Sequence, residues 1–169
     1  GPFTISMILG VVSLILMILV NKKNRELLNI NVKELVLINE MSITIGLVML
    51  TIGNFLGGMW ANESWGRYWG WDPKETWALI SIMVYAFVIH MRLIPGLKSN
   101  FTFTVASILS FGSIIMTYFG VNFYLAGLHS YAKDDQEISL VFITLTLVII
   151  LTLSLLAYPK YKKYLKNNP

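Results

Sequence analysis

Five long apolar runs constrain the fold of this chain more than any other feature. They cover residues 3–20, 36–60, 73–92, 101–126 and 138–158. A helix of about 17–25 apolar residues crosses the hydrocarbon core of a bilayer, and every run has about that length. The sequence therefore predicts an all-α integral membrane protein, a bundle of five transmembrane helices.

The composition excludes most classes of soluble protein. Apolar residues make up 56% of the chain and charged residues only 13%, whereas soluble domains keep about a quarter of their residues charged. The chain has no cysteine, so it offers no disulfide, thiolate metal site or cysteine nucleophile. No repeat or long linker divides it, and we expect residues 1–169 to form a single membrane domain.

The charges of the connectors predict the orientation in the membrane. Ten of the thirteen Lys and Arg residues lie in residues 21–35, residues 91–100 and the C-terminal tail. The alternate connectors, residues 61–75 and 127–137, hold three basic residues against six acids. By the positive-inside rule the N-terminus lies outside and the C-terminus is cytoplasmic. The basic balance therefore reflects topology, and we expect no nucleic-acid partner.

All five tryptophans lie between residues 60 and 77. An interfacial aromatic belt is the ordinary explanation for tryptophan in a membrane protein. A belt would mark both interfaces, whereas these indoles gather around one outer connector, residues 61–75, interleaved with glycines. Closely spaced aromatic rings suit a large planar ligand, with Arg67 and Lys74 available for its anionic groups. The pattern favours a ligand-binding loop.

Two further patterns flank this loop. Asp72, Pro73 and Glu75 stand in the order of N-cap, first helical residue and third helical residue, which predicts a capping box at the start of the third helix. On the other side, Gly53 and Gly57 have the small-xxx-small spacing of helix packing. A cofactor groove beside the loop is the alternative for these two glycines.

The sequence around the loop resembles a known motif. The run Trp65-Gly66, Trp69 and Trp71-Asp72-Pro73-Lys74-Glu75 is followed by Tyr85, by His90-Met91-Arg92 and by Gly127-Leu128-His129-Ser130-Tyr131. From about residue 46 to the end, the chain resembles the tryptophan-rich "WWD" haem-handling proteins of cytochrome c biogenesis. The similarity is greatest to the CcsA (ResC) type of the system II cytochrome c synthetase.

The resemblance implies a function and a set of site residues. Proteins of this family export and present haem b and promote its covalent attachment to the CxxCH segment of apocytochrome c. They act as a haem lyase with a CcsB (ResB) membrane partner or as a fusion with it, and the substrate thiols react. The implied outer ligand of the iron is His129, and the implied ligand within the membrane is His90. The implied haem contacts of the loop are Trp65, Gly66, Trp69, Trp71 and Asp72, with Arg67 at the rim.

Each histidine has an ordinary alternative role. His90 could cap carbonyls at a helix end, and His129 could be a solvated loop residue. A third helix over residues 73–92 rises about 1.5 Å per residue, so His90 lies roughly 25 Å from the loop and the two histidines cannot bind one iron. Each iron then needs another ligand. Met59 is a conceivable one, although packing is its ordinary role.

The chain has only two histidines and begins Gly-Pro, so we expect it to be a C-terminal portion of a longer protein.

Two other functions are alternatives to a haem lyase. One is a system I type haem exporter that hands haem to a chaperone, and the other is a non-haem membrane transporter. The expected location is the bacterial inner membrane, with the thylakoid membrane as the alternative.

Overall fold

The computed structural model describes residues 1–124 and 140–165 of the chain. Its helices are α1 (Pro2–Leu19), α2 (Arg25–Trp65), α3 (Pro73–His90), α4 (Asn100–Ile115), α5 (Val121–Tyr124) and α6 (Leu140–Lys160). A π-helical turn, Met116–Gly120, joins α4 to α5, and a second one, Tyr161–Leu165, follows α6. Within the described residues, five helical stretches are long and apolar enough to cross a membrane. The predicted fold class is confirmed.

Four of the five predicted spans agree closely with the helices. The spans predicted at residues 3–20 and 73–92 match α1 and α3. The span predicted at residues 101–126 corresponds to α4, the π-helical turn and α5, and its last two residues lie outside the described residues. The span predicted at residues 138–158 matches α6, which extends to Lys160.

The second helix is much longer than the predicted span of residues 36–60. It contains 41 residues, and it includes residues 25–35 and 61–65, which the sequence assigned to connectors. At about 1.5 Å per residue α2 is roughly 62 Å long, about twice the thickness of the hydrocarbon core. At ordinary tilt angles, part of α2 therefore lies outside the hydrocarbon.

The side-chain pattern of residues 25–35 explains why the prediction missed them. Val32 and Val36, one turn apart, are each 1% exposed and pack in the core with Leu14 and Met17 of α1. Lys33, between them in sequence, is exposed. A hydropathy average mixes the two faces of such an amphipathic helix, so the segment reads as a polar connector.

The ends of the helices gather into two groups. α1 packs against α2, α4 and α6, while α3 packs against α2 and α4. Phe101 at the start of α4 lies 5.7 Å from the ring of Tyr161, and the Lys160 Nζ donates to the Ile18 carbonyl at 2.6 Å. The basic connectors therefore lie at one end of the bundle and the tryptophan loop at the other. Which end faces the cytoplasm stays a prediction.

A buried polar bridge joins three helices. The Ser6 hydroxyl donates to Asn39 Oδ1 at 2.6 Å, and Asn39 Nδ2 donates to the Ser107 hydroxyl at 2.9 Å. All three side chains are fully buried. Polar groups in an apolar interior need hydrogen-bond partners, and between membrane helices such bonds hold the helices together. Asn39 therefore connects α2 to both α1 and α4.

Arg92 joins three helices near the basic end of the bundle. Its Nε lies 3.0 Å from the Glu40 carboxylate of α2, and its Nη1 donates to Asn100 Oδ1 at 3.0 Å. Its guanidinium also lies 4.6 Å from the ring centroid of Phe103. In the sequence, Arg92 belongs to the His90-Met91-Arg92 motif and to the basic residues that predict orientation. In the structure it also holds the end of α3 against α2 and α4.

We expect the Asn39→Ala substitution to lower the free energy of unfolding by about 1–2 kcal/mol, because it removes both bonds of the bridge and leaves two hydroxyls with one partner fewer. Thermal or denaturant unfolding of the purified protein in detergent would measure the change. Ser13→Ala is the matched control, since Ser13 is fully buried but bonds only to the Leu9 carbonyl of its own helix. Equal effects of the two substitutions would contradict this role of Asn39.

Candidate functional site

The tryptophan loop is the short connection of residues 66–72 between α2 and α3. It begins where Gly66 ends α2 in the left-handed conformation, with φ +71° and its N–H bonded to the Asn62 carbonyl. It ends at Asp72, the N-cap of α3. Glycine adopts a positive φ without strain and is the usual residue at a helix C-terminus of this kind. The expected outer connector of residues 61–75 is thus shorter, and Trp65 belongs to α2.

A capping box holds the loop against α3, as the sequence predicted. Asp72 Oδ2 accepts from the Lys74 N–H at 3.1 Å, and the Glu75 carboxylate accepts from the Asp72 N–H at 3.2 Å. The same Glu75 oxygen also accepts from the Gly70 N–H at 2.8 Å. Asp72 is only 6% exposed, so its side chain has a structural role.

Trp71 has an unusual backbone between these two bonds. Its φ is +56°, a conformation that is uncommon for residues other than glycine. Glu75 fixes the N–H groups on both sides of it, which explains why the strained conformation persists. The indole of Trp71 is 71% exposed. The Arg67 guanidinium lies over Gly70, where the Cβ of any other residue would collide with it.

The closely spaced indoles that the sequence predicted do not form a single flat surface. Trp60 and Trp65 are 5.2 Å apart with their planes at 78°. Trp69 and Trp71 are 5.8 Å apart with their planes at 89°. Both pairs therefore have the edge-to-face arrangement that aromatic quadrupoles favour.

A cleft of about 390 Å³ lies between α2, the loop, the start of α3 and the π-helical turn. Its volume falls in the range of about 300–1,000 Å³ that is typical of small-molecule and cofactor sites. The lining residues are Leu50, Gly53, Asn54, Gly57, Gly58, Trp60, Ala61, Tyr68, Trp69, Lys74, Glu75, Ala78 and Thr117.

Glycines of α2 form one wall of the cleft. A Cβ placed on Gly53 or Gly57 would meet no atom within 4 Å. No described helix packs on these two glycines, so the groove alternative agrees with the structure better than helix packing does. Gly58 differs, because its Cβ would lie 2.7 Å from the Tyr68 ring. That ring is anchored by its hydroxyl, which donates to the Phe55 carbonyl at 3.2 Å.

Polar groups converge on the opposite wall. Lys74 and Glu75 come from the first turn of α3, and the Lys74 ammonium donates to Asn122 Oδ1 of α5 at 3.4 Å. Thr117 comes from the π-helical turn, a feature often found at functional sites. The sequence did not predict that Tyr68 and Thr117 line this cleft. The neighbouring tryptophans were a signal for Tyr68, but no sequence pattern indicated Thr117.

The structure brings together only some of the residues that the sequence proposed as a site. Trp69 lines the cleft. Trp65 contacts Trp60, and Trp71 contacts Trp69, so each of them lies beside a residue that lines the cleft. Arg67, Gly66 and Asp72 shape the loop. Lys74, named as a rim charge, also lines it. His129 lies outside the described residues. Met59 is 59% exposed and does not line the cleft.

His90 lies at the other end of α3. The 18 residues of α3 place it roughly 25 Å from the loop. Its side chain is exposed, and its Nδ1 lies 2.6 Å from the Ala86 carbonyl. A carbonyl only accepts, so Nδ1 is the donor in this bond, and in the neutral imidazole the lone pair is then on Nε2. This bond agrees with the capping role, and it also leaves one ring nitrogen able to bind a metal.

The cleft, the tryptophan loop and His90 all lie within residues 2–129, which match the family model described as cytochrome C assembly protein. The chain belongs to the cytochrome c assembly protein family. The resemblance drawn from the tryptophan motif is thereby confirmed.

Three relatives are similar to the chain over different lengths. The chain is 51% identical over 168 residues to Protein NrfI of Wolinella succinogenes. This match covers 99% of the chain and 18% of NrfI. The chain is 49% identical over 102 residues to the cytochrome c biogenesis protein CcsA of Cuscuta reflexa, covering 60% of this chain and 33% of that protein. A CcsA of Prochlorococcus marinus is 48% identical over 99 residues, covering 59% and 32%. The chain thus spans between 18% and 33% of these relatives.

Adjacent glycines in the cleft wall should respond oppositely to alanine. Gly57→Ala should raise the free energy of unfolding by about 0.5–1 kcal/mol, because alanine favours a helix interior and its methyl group enters open space. Gly58→Ala should show no such gain, because the Tyr68 ring must move. Thermal unfolding of the two variants beside the parent protein measures both effects. A gain of the same size at Gly58 would show that Tyr68 does not pack on it.

Proposed function

We propose that this chain is the part of a cytochrome c biogenesis protein that presents haem b, its substrate, for attachment to apocytochrome c. The observation that carries the proposal is the cleft beside the tryptophan loop. In the wall formed by α2, Gly53 and Gly57 leave the backbone uncovered, which admits a flat ring closely. Trp69 and Tyr68 line it with aromatic surface, and Lys74 adds a cation for a propionate group.

His129 is proposed as the outer axial ligand of the haem iron. The contact between Lys74 and Asn122 ties α5 to the cleft, so the connector after α5 starts beside it. His129 follows Tyr124, the last residue of α5, by five positions. Even fully extended, that segment spans at most about 18 Å. An imidazole from this connector would bind iron as axial histidines of other haem proteins do.

The chemistry itself is proposed to belong to the substrates. Each thiol of a CxxCH segment adds across a haem vinyl group, forming one C–S bond while the thiol proton goes to the other vinyl carbon. The protein supplies position, which is an established source of rate. The haem and the loop would be kept in one orientation by the remaining residues of the motif, Trp65, Trp71, Arg67, Gly66 and Asp72. The remaining parts of this haem lyase, including a CcsB (ResB) partner or fusion, would lie beyond this chain.

His90 is proposed as a ligand of a second haem, held within the membrane before export. Its Nδ1 bond to the Ala86 carbonyl would orient Nε2 toward the iron. We propose the bacterial inner membrane as the location, because the relative that covers 99% of this chain comes from a bacterium. The tryptophan loop would face the outer side, as the connector charges predict.

A leucine in the cleft tests whether haem binds there. The substitution Gly57→Leu, in the full-length protein, should reduce the Soret absorbance of the purified protein by about half or more, because the side chain fills the space needed by the ring. Gly112→Leu in α4 is the matched control, since Gly112 is helical, is equally open and does not line this cleft. Unchanged haem content in the Gly57 variant would refute the cleft as the haem site.

Substitutions of the two histidines should have different effects, one on the yield of holocytochrome and the other on the haem that copurifies. With an apocytochrome c and a CcsB-like partner coexpressed, His129→Ala should lower the yield of covalent holocytochrome about tenfold or more, since loss of an axial ligand removes the fixed position of the iron. His90→Ala should instead lower the haem that copurifies with the protein. Undiminished holocytochrome from the His129 variant removes this residue from the mechanism. Haem released to a separate carrier, without covalent product, would favour an exporter.

A further inference from the structure

A second cleft lies at the opposite end of the bundle from the tryptophan loop. It has a volume of about 620 Å³ and is lined by Lys22, Lys23, Arg25, Glu26, Lys163 and Tyr164. Four of these six residues are cations and one is an acid. Two segments far apart in sequence build it, the connection between α1 and α2 and the π-helical turn after α6. We propose that this basic cleft binds the phosphate headgroup of an anionic phospholipid.

The first segment is an ordered turn. The Asn21 N–H donates to Asn24 Oδ1 at 2.6 Å, and Asn24 Nδ2 donates to the Leu19 carbonyl at 3.2 Å. The Asn24 side chain, which follows Lys22 and Lys23, thus bonds to the backbone that precedes them and closes the turn. The two cations therefore stand on a backbone that is already fixed, which lowers the entropy lost on binding.

The second segment is held by its apolar side. Tyr161 and Leu165 of the π-helical turn are 8% and 5% exposed and belong to the core. Lys163 and Tyr164, between them, face the cleft, and the Lys163 ammonium lies 5.3 Å from the Tyr164 ring centroid. The bond from Lys160 Nζ to the Ile18 carbonyl fastens this turn to the end of α1. The two walls of the cleft are therefore tied together.

The positive charge of the cleft exceeds its negative charge, because four cations line it beside the single acid Glu26. Among the described residues, the one ion pair joins Arg92 to Glu40, so none of the four cleft cations forms an ion pair with a described residue. Arg25 also begins α2, and the N-terminal end of a helix favours an anion. A concentrated positive site of this kind, at the end of membrane-spanning helices, matches the known preference of basic pockets for anionic headgroups.

The surroundings of the cleft favour a lipid over a soluble anion. Leu19 and Leu27, on the helices that flank the turn, are 55% and 64% exposed. A phospholipid can place its phosphate among the cations and its acyl chains along such apolar side chains. A soluble phosphate would use only the charged part of this surface. The proposal does not depend on haem binding at the other end of the bundle.

The test compares two triple variants of the full-length protein in detergent. Lys22→Gln, Lys23→Gln and Lys163→Gln together remove three cleft cations. Lys33→Gln, Lys98→Gln and Lys162→Gln remove the same charge from exposed lysines that do not line the cleft. Native mass spectrometry with added phosphatidylglycerol, and with phosphatidylcholine for comparison, gives the apparent affinity of each protein for each lipid.

We expect the cleft variant to bind phosphatidylglycerol about tenfold more weakly or worse, and the control variant to change by no more than about twofold. Phosphatidylcholine binding should change little in either. Equal losses in the two variants would overturn the proposal, because general surface charge would then explain binding. Displacement of the lipid by millimolar inorganic phosphate would overturn the choice of a lipid. If the triple variant does not fold, two single variants give the same comparison. Lys163→Gln removes a cleft cation, and Lys162→Gln, its neighbour on the same turn, is the control.

Discussion

The unbroken hydrogen-bonded backbone of α2 is the constraint on which the rest of the described bundle depends. In lipid every peptide N–H and C=O must be satisfied, and a single helix of 41 residues meets that need along its whole length. Asn39 joins it to α1 and α4, and Glu40 joins it to Arg92 at the end of α3. Its glycine face, farther along, borders the cleft. The position of these contacts along one rigid helix sets the distance between the two ends of the bundle.

The tryptophan loop depends on backbone hydrogen bonds more than on stacking between its rings. The Glu75 carboxylate accepts the N–H groups on both sides of Trp71 and so holds a strained, exposed residue in place. The indoles meet edge to face, which leaves ring surface uncovered. Aromatic surface on a fixed backbone can bind a planar molecule with little loss of conformational entropy. That property, together with membership of the cytochrome c assembly family, is the physical basis of the proposed role in haem presentation.

At each end of the bundle, one side chain bonds to the backbone of a short connector and fixes its shape. One connector displays aromatic groups and the other displays cations. At one end, Glu75 closes a turn that displays indoles beside a glycine wall. At the other, Asn24 closes a turn that displays lysines beside the π-helical turn after α6. Each short connector is organised by one side chain that bonds to its backbone. Such connectors present charged or aromatic groups at fixed positions, which long flexible loops do not.

What could be predicted from the sequence was local in its physics. The apolar runs, the capping box of Asp72 and Glu75, and the concentration of indoles in one connector each follow from residues near one another in the chain. The early start of α2 and the second role of Arg92 were missed, because both depend on which helix lies opposite. The sequence alone determined five spans and an aromatic loop at the start of α3. Only the tertiary structure decided that Gly53 and Gly57 face open space, because whether a glycine is covered depends on the position of neighbouring elements, which no local pattern records.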